Sequence, residues 1–148
     1  MPRNVIVKSG PLKYAQNITV GPHRFQADEP TDVGGNDVGP EAHELVMAAL
    51  GACANITVQM YAERKQWPLH GVQVALSYAR VPAENPADSG AKIGMMDRID
   101  VEVALVGDLS EEQQRRLLEI ADRCPVHRLL VSGVEVNTRL FVPASPPH

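Results

Sequence analysis

Apolar and polar residues alternate in several stretches of this chain and give way to one nearly continuous apolar run. Val5 and Val7 share a face within residues 3–8, and residues 14–27 carry β-branched Ile18 and Val20. Both stretches predict short strands. Ser9-Gly10-Pro11 separates them, and Gly21-Pro22 is placed to fold the second into a hairpin. In residues 72–81, Val72, Val74, Leu76 and Tyr78 face one way. In 99–106, Ile99, Val101, Val103 and Leu105 do the same, with Asp100 and Glu102 opposite. These two segments predict half-buried strands that pair antiparallel. Between them, residues 82–96 are rich in Pro, Gly, Asn and Asp and predict a loop. Val134 to Val142 reads as a closing strand.

The apolar run predicts the longest helix. Asp28 to Pro40 is loop, with two prolines, three glycines and four acidic residues. Pro40 suits a first helical turn, and Glu41 and Glu44 favour its positive end. The helix runs from about Glu41 to Gln66, where Trp67-Pro68 stops it. From Leu45 to Ile56 only Gly51 and Asn55 interrupt the apolar side chains. A helix without a wet face is buried on all sides, which one domain of this size achieves poorly, so a partner chain is expected. Ser110-Glu-Glu-Gln113 is a capping box that opens a helix to about Cys124. Pro125 to Val131 reads as a further short helix.

Composition narrows the class. With 148 residues, 44% apolar and 22% charged, the chain reads as one globular domain over 1–142 with a flexible tail at 143–148. A net charge of −4 argues against nucleic acid as a partner. Met1 to Gly10 contains no apolar signal-peptide core. No uncharged apolar stretch is read as approaching the roughly 18–20 residues that span a bilayer. A cytoplasmic protein without a membrane partner is expected. In a reducing compartment, a disulfide that does form is more often catalytic or sensing than structural.

That puts weight on the only two cysteines, Cys53 and Cys124. Cys53 sits within the apolar run and on its own reads equally well as a core-filling thiol. Cys124 precedes Pro125. If Pro125 occupies a first helical turn, the unpaired N–H groups there favour a thiolate, and Arg123, His127 and Arg128 are near in sequence. Local reasoning thus makes Cys124 the more acidic thiol. Cys124-x-x-His127 has a zinc-like spacing, but no second Cys/His pair accompanies it. No metal is expected. There is no G-x-S-x-G, H-E-x-x-H or phosphate-binding glycine loop.

Two motifs then carry a resemblance. Gly39-Pro40-x-x-x-Glu44-Leu45-x-x-x-Ala49-x-Gly51-x-Cys53 resembles the central-helix motif of the OsmC/Ohr family of osmotically inducible and organic hydroperoxide resistance proteins. Asp122-Arg123-Cys124-Pro125-Val126-His127 resembles that family's second cysteine motif, and the order of elements agrees over nearly the whole chain. The OsmC-like branch, sometimes labelled simply redox protein, is the more similar. The resemblance implies an α+β, OsmC-like fold: N-terminal hairpin strands, a long buried central helix, antiparallel strands and two further helices. It implies an intertwined homodimer with active sites at the interface. It also implies thiol-dependent reduction of hydroperoxides, organic ones above all, in oxidative-stress defence.

In that scheme Cys53 is the peroxidatic thiol, Cys124 resolves it as a disulfide, and Glu44 is a catalytic carboxylate. No cofactor is needed beyond an external dithiol reductant or thiol protein. Nine residues turn a helix through about 900°, so Glu44 and Cys53 lie on opposite sides and roughly 13–14 Å apart along the axis. Glu44 therefore acts in trans or serves only its own helix terminus. The family's N-terminal arginine has no counterpart: Leu12-Lys13-Tyr14 occupies the corresponding region, and Arg24 is the nearest arginine. Lys13, Arg24 and His127 are the candidates for stabilising the thiolate. This departure keeps a second reading open, an OsmC-fold protein that binds a small apolar ligand or senses redox state without efficient peroxidase activity.

Overall fold

The computed structural model describes residues 3–83 and 94–142. Most of the expected loop at 82–96, and the tail at 143–148, lie outside the described residues. The elements run β1 (Val5–Ser9), β2 (Gln16–Val20), β3 (His23–Ala27), a 3-10 turn (Thr31–Val33), α1 (Ala42–Lys65), β4 (Leu69–Pro82), β5 (Met95–Gly107), α2 (Glu111–Ala121) and α3 (Pro125–Ser132). This is the α+β arrangement expected, and the strands flanking 82–96 reach further into it than their alternation showed.

β1, β2 and β3 form an antiparallel meander, with Val5 opposite Val20 and Val7 opposite Ile18. Gly21, at a φ of 58°, makes the β2–β3 turn where a side chain would be strained. β4 and β5 form a separate antiparallel ribbon. Its register sets Val72 against Leu105, Val74 against Val103 and Leu76 against Val101, so the two apolar faces coincide. That shared face receives α1.

On α1, Leu50, Gly51, Ala54, Val58 and Ala62 form one buried stripe at helical spacing. It packs with Leu117 and Ala121 of α2 and with Cys124, while Val72, Leu76, Ile99 and Leu105 close the core from the ribbon. Asn55 donates to the Val72 carbonyl at 3.0 Å, which uses the polar interruption of the run to tie helix to strand. Both α2 cap bonds form as expected: the Gln113 N–H to Ser110 Oγ at 3.1 Å, and the Ser110 N–H to Gln113 Oε1 at 2.9 Å.

One chain does not bury α1 on all sides, as its sequence implied: Val46, Ile56 and Met60 are 41%, 53% and 61% exposed. Two expectations need correction. First, α1 is by length and composition long and apolar enough to cross a membrane, contrary to the reading of its sequence. Residues 45–62 carry no charged side chain, and Asn55 interrupts the run without charging it. The buried stripe and the Asn55 bond to β4 identify it as a core helix. Second, Val134 to Val142 forms no strand. A strand needs a ladder beside it, and among the described residues the two sheets contain only β1 to β5. Leu140 and Phe141 stand 90% and 80% exposed.

The N-terminal meander makes no extensive contact with the helices or the ribbon.

Candidate functional site

Cys53 is carried by the middle of α1, one position from the buried stripe, and is partly buried. Cys124 is the N-cap of α3, with Pro125 at the first helical position as its sequence predicts. The core that joins α1, α2 and α3 brings the two together. Cys53 packs against the core cluster that contains Cys124 and is near enough to act on its thiol. Both are free thiols. Residues far apart in sequence thus come to the same part of the core.

The structure removes the ground for expecting an acidified Cys124. Cys124 is fully buried, at 0% exposed. Burial pushes its thiol above the ordinary value, the His127 N–H pulls it back, and the neighbouring Cys53 raises it again. The His127 N–H reaches Cys124 Sγ at 3.3 Å, so the helix terminus does act on the sulfur; desolvation outweighs it. The His127 side chain turns elsewhere, with Nε2 3.8 Å from Asp122 Oδ1. Lys13 lies over the Tyr14 ring at 4.9 Å, and Arg24 stands exposed on β3. Both belong to the N-terminal meander region, which makes no extensive contact with α1, so neither is brought to Cys53 by this chain's own packing.

Glu44 begins α1, and its carboxylate accepts the Glu41 N–H at 2.8 Å. Within its own chain it completes a helix terminus. The unbroken helix from Ala42 to Lys65 keeps it away from Cys53 of the same chain.

Beside the thiols, α1, α3 and the ribbon frame a groove of about 640 Å³. Met47, Leu50, Ile99 and Leu130 supply apolar wall; His43, Tyr78, His127 and the carboxylates of Asp97, Asp100 and Asp122 supply polar atoms. The His43 and Tyr78 rings lie 5.3 Å apart, and the Tyr78 hydroxyl donates to Asp97. That bond and burial raise the Tyr78 phenol above its ordinary value. The groove flanks the thiols, and neither sulfur lines it.

Sequence reasoning missed Asp28. It is 4% exposed and accepts the N–H groups of Glu29, Asn36 and Val38 at 2.7, 3.0 and 3.3 Å. Its own N–H donates to the Pro40 carbonyl at 3.1 Å. The residue therefore clasps the loop that delivers the chain to α1. An aspartate opening a Gly- and Pro-rich loop was the available signal. Burial would raise its carboxyl, but the three donors together hold it below the ordinary 3.8. A depressed folded pKa gives stability that is fully present above 3.8 and lost as pH falls through the folded value. Asp28→Asn is expected to lower the urea midpoint at neutral pH, with the difference from wild type shrinking as the pH is taken below 3.8. A constant difference across that range would contradict this account.

The Tyr61–Arg116 contact was also invisible in the sequence, its partners being 55 positions apart. Arg116 Nε donates to the Tyr61 hydroxyl at 3.1 Å and Nη1 meets Glu119 at 2.9 Å, fastening α2 to the end of α1.

Comparison with known proteins supports the fold. No curated protein matches the chain at significant similarity. Among solved structures, an OsmC-like protein from Mycoplasma pneumoniae is 16% identical with a TM-score of 0.66, covering 88% of each chain. An organic hydroperoxide resistance protein OsmC from Legionella pneumophila is 16% identical with a TM-score of 0.61, covering 86% of this chain and 88% of its own. The organic hydroperoxide resistance protein OhrB of Bacillus subtilis is 19% identical with a TM-score of 0.58, covering 86% and 89%. The family model described as OsmC-like protein matches residues 34–139, a span that holds both cysteines, Glu44 and the core that joins them. The chain belongs to the OsmC-like protein family.

Proposed function

We propose that this protein reduces hydroperoxides, organic ones especially, through the Cys53–Cys124 pair. The observation that carries the reading is the packing of Cys53 against the core cluster that holds Cys124. Cys53 is the more accessible thiol and takes the peroxidatic role. Its thiolate attacks a peroxide oxygen, the O–O bond breaks, and the alkoxide leaves and is protonated to an alcohol. Cys53 is left as a sulfenic acid. The sulfur of Cys124 then attacks that of Cys53 and water departs, giving an intramolecular disulfide. An external dithiol or thiol protein returns both thiols. Oxidative-stress defence in the cytoplasm is the setting this chemistry fits, and hydroperoxide resistance proteins with the same fold support it.

The working unit in this proposal is a homodimer. The uncovered face of α1, the free meander and the apolar stretch at 134–142 supply the surface for it. Glu44 then serves the partner subunit's site, and Lys13 or Arg24 on the meander is the available cation for the partner's thiolate.

A stoichiometric pulse of tert-butyl hydroperoxide is expected to convert the two free thiols to one intramolecular disulfide, read by thiol titration and intact mass. An unchanged thiol count would refute the peroxidase reading. The groove of about 640 Å³ gives room for one other function, binding of a small ligand whose apolar part meets Met47, Leu50, Ile99 and Leu130. Retained ligand in native mass spectra together with peroxide inertness would select it. A redox sensor is the third possibility, and it would be recognised by a protein partner trapped in mixed disulfide by Cys124→Ser.

A further inference from the structure

We propose that the thiol which regenerates the oxidised protein attacks the sulfur of Cys53 and expels Cys124 as the leaving group. The inference rests on the redox pair proposed above and concerns which of its two sulfurs an outside molecule can use. Thiol–disulfide exchange needs the incoming thiolate in line with the bond it breaks, behind the attacked sulfur. Cys124 is 0% exposed. Its cover is the core cluster of its own chain, including Leu117 and Ala121 of α2. A second copy packed on α1 adds cover and removes none of this. Cys53 stands at the edge of the same cluster and is only partly buried by its own chain.

The leaving group is also provided for. As Cys124 departs, its charge develops at the α3 terminus, where the His127 N–H already points at Sγ from 3.3 Å. The Val126 N–H acts on the sulfur in the same sense. These donors offset part of the burial that otherwise holds the thiol above its ordinary value. The steps balance as two exchanges. The first thiolate of the dithiol bonds to Cys53 sulfur, the Cys53–Cys124 bond breaks, and Cys124 takes up a proton to become a buried thiol. The second thiolate of the dithiol attacks the reductant's own sulfur in the mixed disulfide. Cys53 leaves as a thiolate, and the reductant departs as its disulfide with two electrons fewer.

The test stops the reaction at the mixed disulfide with a monothiol, glutathione, which cannot complete the second step. Wild-type protein is oxidised to the disulfide with tert-butyl hydroperoxide and, in a parallel sample, with diamide. Each is exposed briefly to glutathione, quenched in acid, alkylated and peptide-mapped. The expected result is glutathione on Cys53 and alkyl label on Cys124, in at least about tenfold excess over the reverse pattern. Equal labelling, or glutathione mainly on Cys124, would overturn the proposal. So would failure of both oxidants to close the disulfide. If diamide closes it and peroxide does not, with glutathione on Cys53, the peroxidase reading fails and this inference stands.

Discussion

Replacing Cys53 with serine slows consumption of tert-butyl hydroperoxide by on the order of a thousandfold or more, the scale on which loss of a nucleophile slows an enzyme. Replacing Cys124 with serine has a different outcome. The first turnover proceeds, and the enzyme then stops as a sulfenic acid that dimedone captures, because no second sulfur is present to resolve it. The structure makes this pair of variants a clean comparison. Cys124 is the N-cap of α3, and serine is a better N-cap than cysteine, so Cys124→Ser preserves the start of that helix. Cys53 lies on α1 outside the fully buried stripe, so Cys53→Ser loses a modest apolar contact and opens no large cavity. Circular dichroism and thermal melting of both variants close to wild type are the accompanying controls. Wild-type peroxide consumption by Cys53→Ser would remove the peroxidatic role from that residue.

The parts of this fold that could be read from the sequence are those decided locally. Alternation at 72–78 and 99–105 names the paired faces of the ribbon because strand periodicity needs no knowledge of the partner. Ser110 and Gln113 announce α2 for the same reason, since the cap closes within four residues. Cys124 before Pro125 marks the start of α3 correctly. The error came in passing from that position to acidity. A helix terminus lowers a thiol's pKa only as far as burial allows, and burial depends on Leu117, Ala121 and α1, which local sequence does not report. Asp28 was overlooked for a related reason: its three donors come from Glu29, Asn36 and Val38, so its value appears only once the loop has closed. The segment at 134–142 shows the limit from the other side. Its alternation is real, but a strand is a relation between two segments, and among the described residues no second segment pairs with it.

Mixing two inactive variants, Cys53→Ser and Glu44→Gln, is expected to restore peroxide reduction. The helix sets the logic. Glu44 and Cys53 occupy opposite sides of one unbroken α1, so a carboxylate that assists the thiol belongs to a different copy. The surface provides for that copy. Val5, Ile6 and Val7 of β1 are 60%, 52% and 55% exposed, and Ile56 and Met60 leave the outer side of α1 apolar. Leu140 and Phe141 stand almost free in a segment that lacks a strand neighbour. Apolar surface spread over three such segments is the character of the contacts that obligate dimers bury. Sedimentation equilibrium should therefore give twice the 16.1 kDa chain mass. In a hybrid of the two variants, the site built on the intact Cys53 receives its Glu44 from the Cys53→Ser subunit and is complete; the other site lacks both groups. Equal amounts unfolded and refolded together pair at random, half as hybrids with one working site each, so activity should return to about a quarter of wild type. Each variant refolded alone should stay inactive. If Glu44→Gln alone retains wild-type activity, its carboxylate serves only the Glu41 N–H that it caps. If the mixture stays as inactive as its components, the two residues do not meet across subunits.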